Sequence, residues 1–142
     1  MNSSEQTLYH QALLAHHKSP VGFECDIQAT DEFDGHNAAC GDDITVQINI
    51  SGSVIAKSAF SGDSCAICRA SASIMCQQVE QLSITDYSKL YSQLLASLNG
   101  EQAFTEVLLP LSSVAQYPVR QQCALLPWQT LNKLLLTHKE FN

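Results

Sequence analysis

The segment between Ile44 and residue 60 limits the possible folds most strongly, because its pattern fits an antiparallel β-hairpin. Apolar and polar residues alternate from Ile44 to Ile50, which is the period of a strand with one buried face. Ser51-Gly52-Ser53 supplies a turn, and residues 54–60 return with Lys57 facing out. The sequence therefore predicts a half-buried hairpin near the middle of the chain.

An amphipathic helix is predicted before the hairpin, over residues 7–18. Leu8, Ala12 and Ala15 recur at helical spacing and form one stripe. Pro20 marks the end of the pattern. This helix is expected to turn its apolar stripe toward the core.

Two helices are predicted directly after the hairpin. Residues 65–79 are rich in Ala and Ser, with Ser64 as the expected N-cap. Small side chains would let this helix lie close against the sheet. Residues 83–98 form the second, and Ser83 with Asp86 fits a capping box at its start.

The remaining segments have weaker patterns. Residues 21–30 are interpreted as a strand and residues 31–37 as a mobile polar loop. A last helix is expected to start near Leu126, because Pro127 fits the first turn of a helix and not its interior. The order of elements predicts an α+β fold with a small antiparallel sheet of about three strands packed against several helices. A single domain is expected over residues 1–142.

Composition excludes several classes of function. The chain has 142 residues and a net charge of -7, with only 7 Lys and Arg scattered singly. It therefore lacks the basic patch that nucleic-acid binding requires. The N-terminus shows no signal-peptide pattern, and no apolar run approaches the length of a membrane span. These features predict a cytoplasmic protein without nucleic-acid or membrane partners.

Six cysteines are present, and without an export signal they are interpreted as ligands, nucleophiles or buried small side chains instead of disulfides. Cys40 lies two residues before Asp42, while Cys65 and Cys123 each lie near an expected helix start. Three thiolates and one carboxylate form a ligand set that suits iron or zinc. The carboxylate is the hard and labile member of that set.

Each of these motifs also has a purely structural interpretation. Cys40-Gly41-Asp42 is compatible with a turn that carries a buried thiol, and an isolated cysteine such as Cys65 is often an inert core residue. Gly41 is expected to let the backbone pass close to the ligand, in an extended segment that points Cys40 and Asp42 the same way. Cys25 and Cys76 are predicted to be structural.

Three more residues are candidates for accessory roles. Cys68 lies three residues after Cys65 on the same helix face, which fits a redox or zinc motif or an accessory thiol near the site. Arg120 and Gln122 precede Cys123 and would neutralise or hydrogen-bond a site rich in thiolates. Arg120 is equally well described as an ordinary surface arginine.

Taken together and in this order, the motifs resemble a known family. Leu8-Tyr9-His10-Gln11, Cys40-Gly41-Asp42, residues 60–67 and residues 117–124 resemble the U-type iron–sulfur cluster assembly scaffolds of the IscU, SufU and NifU N-terminal-domain family. The SufU branch is the most similar, because it also has extra residues between its second and third cysteine motifs. It lacks a histidine before the last cysteine, where Gln122 stands in this chain.

The resemblance implies the SufE/NifU-like fold and a metal site made by Cys40, Asp42, Cys65 and Cys123. It implies a scaffold that receives sulfur from a cysteine desulfurase, assembles a [2Fe-2S] cluster and transfers it to apo iron–sulfur proteins. One alternative is a zinc-dependent sulfurtransferase in which Cys40 accepts the persulfide. A second is an interaction module with a structural zinc. Cys68 replaces the small residue that is usual in the family. Two further roles for Cys68 are therefore considered, as a fifth ligand or as an alternative sulfur acceptor.

Overall fold

A computed structural model describes residues 3–138 of the chain, although the side chains of residues 3–7 are not described. It contains four α-helices, one 3₁₀ helix and three strands within that range. In chain order these are α1 (Ser3–Lys18), β1 (Asp31–Asn37), β2 (Asp42–Ser51), β3 (Val54–Ser61), α2 (Ala66–Val79), α3 (Ile84–Leu98), the 3₁₀ helix (Glu106–Val114) and α4 (Pro118–Thr137). The α+β class predicted from the sequence is confirmed.

The three strands form one antiparallel sheet in the order β1-β2-β3. In its register, Val46 pairs with Phe33 on one side and with Phe60 on the other. Ile44, Val46 and Ile48 are buried, as the alternation of β2 predicts. The hairpin of β2 and β3 is therefore confirmed.

The prediction of a mobile loop over residues 31–37 is wrong, because this segment is the edge strand β1. All seven residues pair with β2, from Asp31 opposite Ile48 to Asn37 opposite Asp42. Exposed and partly buried positions alternate along it. The exposed residues of this strand, Glu32, Asp34 and His36, are all polar, and this half of the pattern made the segment resemble a loop. Residues 21–30 form no regular strand, although Phe23 makes an isolated bridge to Phe60.

The predicted start of the last helix near Leu126 is also wrong, because α4 begins at Pro118. Pro118 fits the first helical position, where a missing N–H leaves no bond unmade. Pro127 lies inside the helix and is buried. It has no N–H to donate to the Cys123 carbonyl one turn earlier, so burial of the surrounding apolar residues must offset that loss.

The helices cover the sheet and each other. α4 packs against β1 and β2, α2 packs against β3, and α2 and α4 contact each other. α1 lies outside this layer, against α2 and the 3₁₀ helix. Its predicted apolar stripe is wrong in detail, since Leu13 is its buried leucine while Leu8 is 62% exposed. None of the described helices has the length and apolar character needed to cross a bilayer.

Candidate metal centre

Three of the four predicted ligands meet at the end of the sheet where β1 turns into β2. Cys40 lies in that turn, Asp42 is the first residue of β2, and Cys123 lies in the second turn of α4. One ligand atom of each lies within 4.8 Å of the others. The sulfurs of Cys40 and Cys123 are 2.7 Å apart, and both residues are free thiols. The fold thus joins groups that are more than eighty residues apart in the sequence.

A turn, and not an extended segment, brings Cys40 and Asp42 together. The Cys40 N–H donates to the Asn37 carbonyl at 3.3 Å, and Gly41 has a φ of 70°. A Cβ on Gly41 would meet no atom within 4 Å. The expectation of a close approach at this glycine is therefore wrong, and its left-handed backbone is the reason that glycine suits the position.

Asp42 links this turn to the start of α2. The residue is 1% exposed, and its carboxylate accepts a hydrogen bond from the Cys65 N–H at 2.7 Å. The Cys65 thiol donates to its other oxygen at 3.7 Å. Gly62, with a φ of 118°, lies against the Asp43 backbone, where a side chain would overlap the carbonyl oxygen. This contact holds the loop before α2 beside Asp42.

Cys65 is itself the N-cap of α2, so the prediction of Ser64 as the cap is wrong. Its sulfur accepts a hydrogen bond from the Cys68 N–H at 3.4 Å. Amide donors at a helix start stabilise a thiolate. Cys65 lies outside the set of ligand atoms that are all within 4.8 Å of one another, but its thiol contacts two members of that set, the Asp42 carboxylate and the Cys123 thiol.

The buried thiols of Cys68 and Cys123 are held in their protonated forms. Burial raises the pKa of Cys68 to about 12, and the nearby charges of Asp42, Cys65 and Cys40 act in the same direction. Burial also raises the pKa of Cys123, reinforced by its contacts with Cys40 and Cys65. A bound cation would reverse this effect, because it favours the thiolate form.

The donor set fits zinc. Two sulfurs bound to one tetrahedral zinc, each at about 2.3 Å, lie about 3.8 Å apart. The mutual separations of Cys40, Asp42 and Cys123, all within 4.8 Å, allow such an arrangement after small movements. Asp42 is buried and its described protein partners both belong to Cys65, so the carboxylate keeps further acceptor capacity for a cation. Zinc ligation itself stays a prediction.

The accessory residues are placed differently from one another. Cys68 is fully buried directly behind Cys65. Arg120 is exposed, and its guanidinium lies over the Tyr117 ring at 4.6 Å. Gln122 is exposed as well. The accessory roles of all three stay predictions.

Sequence reasoning missed Asn37, whose side-chain amide points toward the Cys123 sulfur at 4.0 Å. Asn37 is the last residue of β1 and pairs with Asp42. The segment of Asn37 was interpreted as a loop, so the strand pairing that places Asn37 opposite Asp42 was not predicted. A strand ending opposite Asp42 must place its last side chains beside the ligands.

The fold and this cluster define a small α+β protein with a cysteine-rich centre in which Cys40 and Cys65 are partly exposed. A model of the NifU-like N-terminal domain matches residues 8–133 of the chain. The chain therefore belongs to the NifU-like N-terminal domain family, as its motifs suggested.

Two relatives with assigned names are similar over most of the chain. The zinc-dependent sulfurtransferase SufU of Bacillus subtilis (strain 168) is 29% identical over 136 residues, which cover 93% of this chain and 92% of the relative. The iron–sulfur cluster assembly scaffold protein IscU of Thermotoga maritima is 31% identical over 106 residues. That match covers 72% of this chain and 74% of the relative.

Solved structures agree with the fold. A putative iron–sulfur cluster assembly scaffold protein for the SUF system from Fervidobacterium islandicum AW-1 has a TM-score of 0.73 at 27% identity, over 94% of this chain and 96% of that one. The N-terminal part of a nitrogen-fixing NifU-like protein from Brucella abortus has a TM-score of 0.79 at 18% identity, over 94% and 96%. At that identity, the second likeness concerns the fold alone.

Proposed function

We propose that this protein is an iron–sulfur cluster assembly scaffold. The observation that carries the proposal is the convergence of Cys40, Asp42 and Cys123 within 4.8 Å, with Cys65 joined to them through Asp42. The three thiols would hold the iron of a [2Fe-2S] cluster as cargo. Residues 1–142 act as one domain in this proposal, because the described core is shared by helices and strands from all parts of the chain.

Asp42 is the release contact in this scheme. A carboxylate oxygen is a poorer ligand than a thiolate for a cluster of this type. The hydrogen bond from the Cys65 N–H fixes the position of the carboxylate, so this weak ligand stays aligned with the cluster. A recipient that offers a fourth thiolate would then displace the oxygen first.

The partners follow from the chemistry. A cysteine desulfurase delivers sulfane sulfur, ferrous iron arrives separately, and apo iron–sulfur proteins receive the cluster. Cys40 is the proposed first acceptor, because it lies in an exposed turn and is itself partly exposed. A cytoplasmic setting completes the proposal, supported by six free cysteines, which suit a reducing compartment. Arg120 and Gln122, which lie within one helical turn before Cys123 in α4, are proposed as accessory groups for the centre.

A zinc-dependent sulfurtransferase is the second candidate, favoured by the similarity to the Bacillus subtilis SufU over 93% of the chain. Cys40, Asp42, Cys65 and Cys123 would hold the zinc, which keeps bound thiols deprotonated. In this scheme Cys40 attacks the outer sulfur of the desulfurase persulfide. It gains that sulfur and releases the desulfurase thiolate.

The deciding experiment is anaerobic incubation with a cysteine desulfurase, cysteine and ferrous iron, followed by visible absorption and metal analysis. Cluster absorption that moves to an apo-ferredoxin supports the scaffold. Tightly held zinc, faster desulfurase turnover and no cluster would support the sulfurtransferase instead. Cys123→Ser should abolish either activity, whereas Cys25→Ser, which changes an exposed thiol remote from the centre, should not.

A structural-zinc interaction module would behave differently from both. Its fold should collapse when a chelator removes the metal, with loss of the helical signal in circular dichroism. Retention of that signal in the metal-free protein, together with either sulfur activity, would exclude the interaction module.

A further inference from the structure

Cys65 and Cys68 lie three residues apart, and only Cys65 belongs to the proposed four-ligand centre. Cys65 is the N-cap of α2 and Cys68 lies in its first turn. The Cys68 N–H donates to the Cys65 sulfur at 3.4 Å. Cys65 is partly exposed at the centre, while Cys68 is fully buried behind it. The Cys68 thiol is therefore buried next to a proposed ligand without being a ligand itself.

We propose that Cys65 and Cys68 are a redox-active dithiol that reduces sulfane sulfur to sulfide at this centre. The inference rests on the proposed function, because it requires that sulfane sulfur is delivered here. Clusters contain sulfide, whereas a desulfurase supplies persulfide sulfur, so two electrons per sulfur atom must be added. The dithiol supplies them within the scaffold.

The reaction balances in two steps. A persulfide on Cys40 first passes its outer sulfur to the Cys65 thiolate, which leaves a Cys40 thiolate and a Cys65 persulfide. The Cys68 sulfur then attacks the inner sulfur of that persulfide. A Cys65–Cys68 disulfide forms, the S–S bond of the persulfide breaks, and hydrosulfide leaves, while the Cys68 proton is given up to solvent or to the leaving sulfide.

The backbone geometry permits the disulfide. Residues three apart in a first helical turn have Cα atoms within the roughly 4.4 to 6.8 Å that a disulfide spans. Cys65 has extended backbone angles, with φ -70° and ψ 167°, and its sulfur already lies 3.4 Å from the Cys68 backbone nitrogen. Cys-x-x-Cys at a helix start is a common arrangement for thiol–disulfide exchange.

The position of the pair couples sulfur reduction to metal binding. A Cys65–Cys68 disulfide removes the Cys65 thiolate from the ligand set, so the cluster closes on all three cysteines only after the pair is reduced again. A small dithiol or a dithiol protein resets it by exchange. A single release of sulfide needs no external reductant.

The experiment uses the metal-free, fully reduced protein, freed of reductant, and one equivalent of glutathione persulfide under anaerobic conditions. Released sulfide is measured, and alkylated peptides are mapped by mass spectrometry. We expect about one sulfide per protein and one disulfide joining Cys65 to Cys68. A disulfide that joins Cys40 to Cys123 instead would overturn the inference.

Cys68→Ser and Cys68→Ala should lower sulfide release by on the order of tenfold and leave a persulfide on Cys40 or Cys65. Cys76→Ser is the matched control, because Cys76 is equally buried in the same helix, and it should behave as the wild type. Unchanged sulfide release in both Cys68 variants would overturn the inference, and a persulfide that persists on the wild type would do the same. The wild-type disulfide map decides the matter even if both variants fold poorly.

The same samples separate the two proposals. Sulfur bound at the centre without sulfide release contradicts the dithiol alone and leaves the scaffold standing. If the centre's thiols carry no sulfur, no sulfide is released and no disulfide forms there, the proposed function itself is contradicted.

Discussion

Two buried polar clusters share helix α4, and they differ in how completely their hydrogen bonds are satisfied. In the core, Trp128 Nε1 donates to Ser71 Oγ at 2.9 Å, and Ser71 Oγ donates to the Ala124 carbonyl at 2.5 Å. Tyr87 OH donates to the Trp128 carbonyl at 2.7 Å. One residue before Ala124, the Cys123 thiol faces other thiols and a carboxylate, which compete for the same protons.

The difference separates structure from chemistry. A buried network in which each group has a partner locks α2 and α4 in one arrangement. A buried cluster of thiols around a carboxylate is costly to ionise unless a cation joins it. The core cluster should therefore set stability, and the centre should set metal and sulfur chemistry, even though neighbouring residues serve the two.

Trp128→Ala should have the largest effect, because Trp128 is fully buried and stacks near Tyr87, with ring centroids 6.4 Å apart. Loss of a buried aromatic side chain costs about 3 to 5 kcal/mol. Urea unfolding followed by circular dichroism measures this loss. Once the variant is held folded at low temperature, it should still take up metal, and failure to do so would break the separation between the two clusters.

Asp42→Ala should slow cluster transfer to an apo-ferredoxin by on the order of tenfold, or about 1.4 kcal/mol in the barrier, because the labile oxygen is gone. The decay of the scaffold's visible absorption measures the rate. Asp43→Ala is the matched control, since Asp43 is the adjacent carboxylate and pairs with His36 at the surface. An unchanged rate in Asp42→Ala would remove the carboxylate from the release step.

Tyr87→Phe should destabilise the fold by about 1 kcal/mol, because it deletes one hydrogen bond and keeps the ring. Denaturant midpoints at equal m-values provide the comparison. Cluster assembly by the folded variant should match that of the wild type. A loss of assembly without a loss of stability would mean that the core network also tunes the centre.

Cys76 should make the stability depend on pH in the alkaline range. Burial raises the pKa of this thiol from 9.0 to about 12, so the folded state holds the proton more tightly than the unfolded chain. The stabilisation is complete below pH 9.0 and is lost as the pH rises toward 12. The unfolding free energies of wild type and Cys76→Ala should therefore converge across this range, and a constant difference would contradict the assignment.

Local pattern was enough for the elements whose signals are complete within a short window. The alternation from Ile44 to Ile50 predicted β2, and Ser83 does cap α3 by accepting from the Asp86 N–H at 3.1 Å. Both signals concern neighbours within a few residues. The ligand residues were recognisable from the order of their motifs along the chain, because each motif alone also fits a purely structural role.

The sequence by itself determined the hairpin, the main helices and the identity of the thiols, since each depends on short-range periodicity or residue chemistry. Tertiary structure decided the rest. The polar segment of β1 is a strand because it pairs with the edge of β2. Helix α4 accommodates Pro127 because the packing of buried side chains offsets the missing hydrogen bond. The contact of Cys40 with Cys123 arises only when α4 packs against the sheet, since no local interaction spans that separation in the chain.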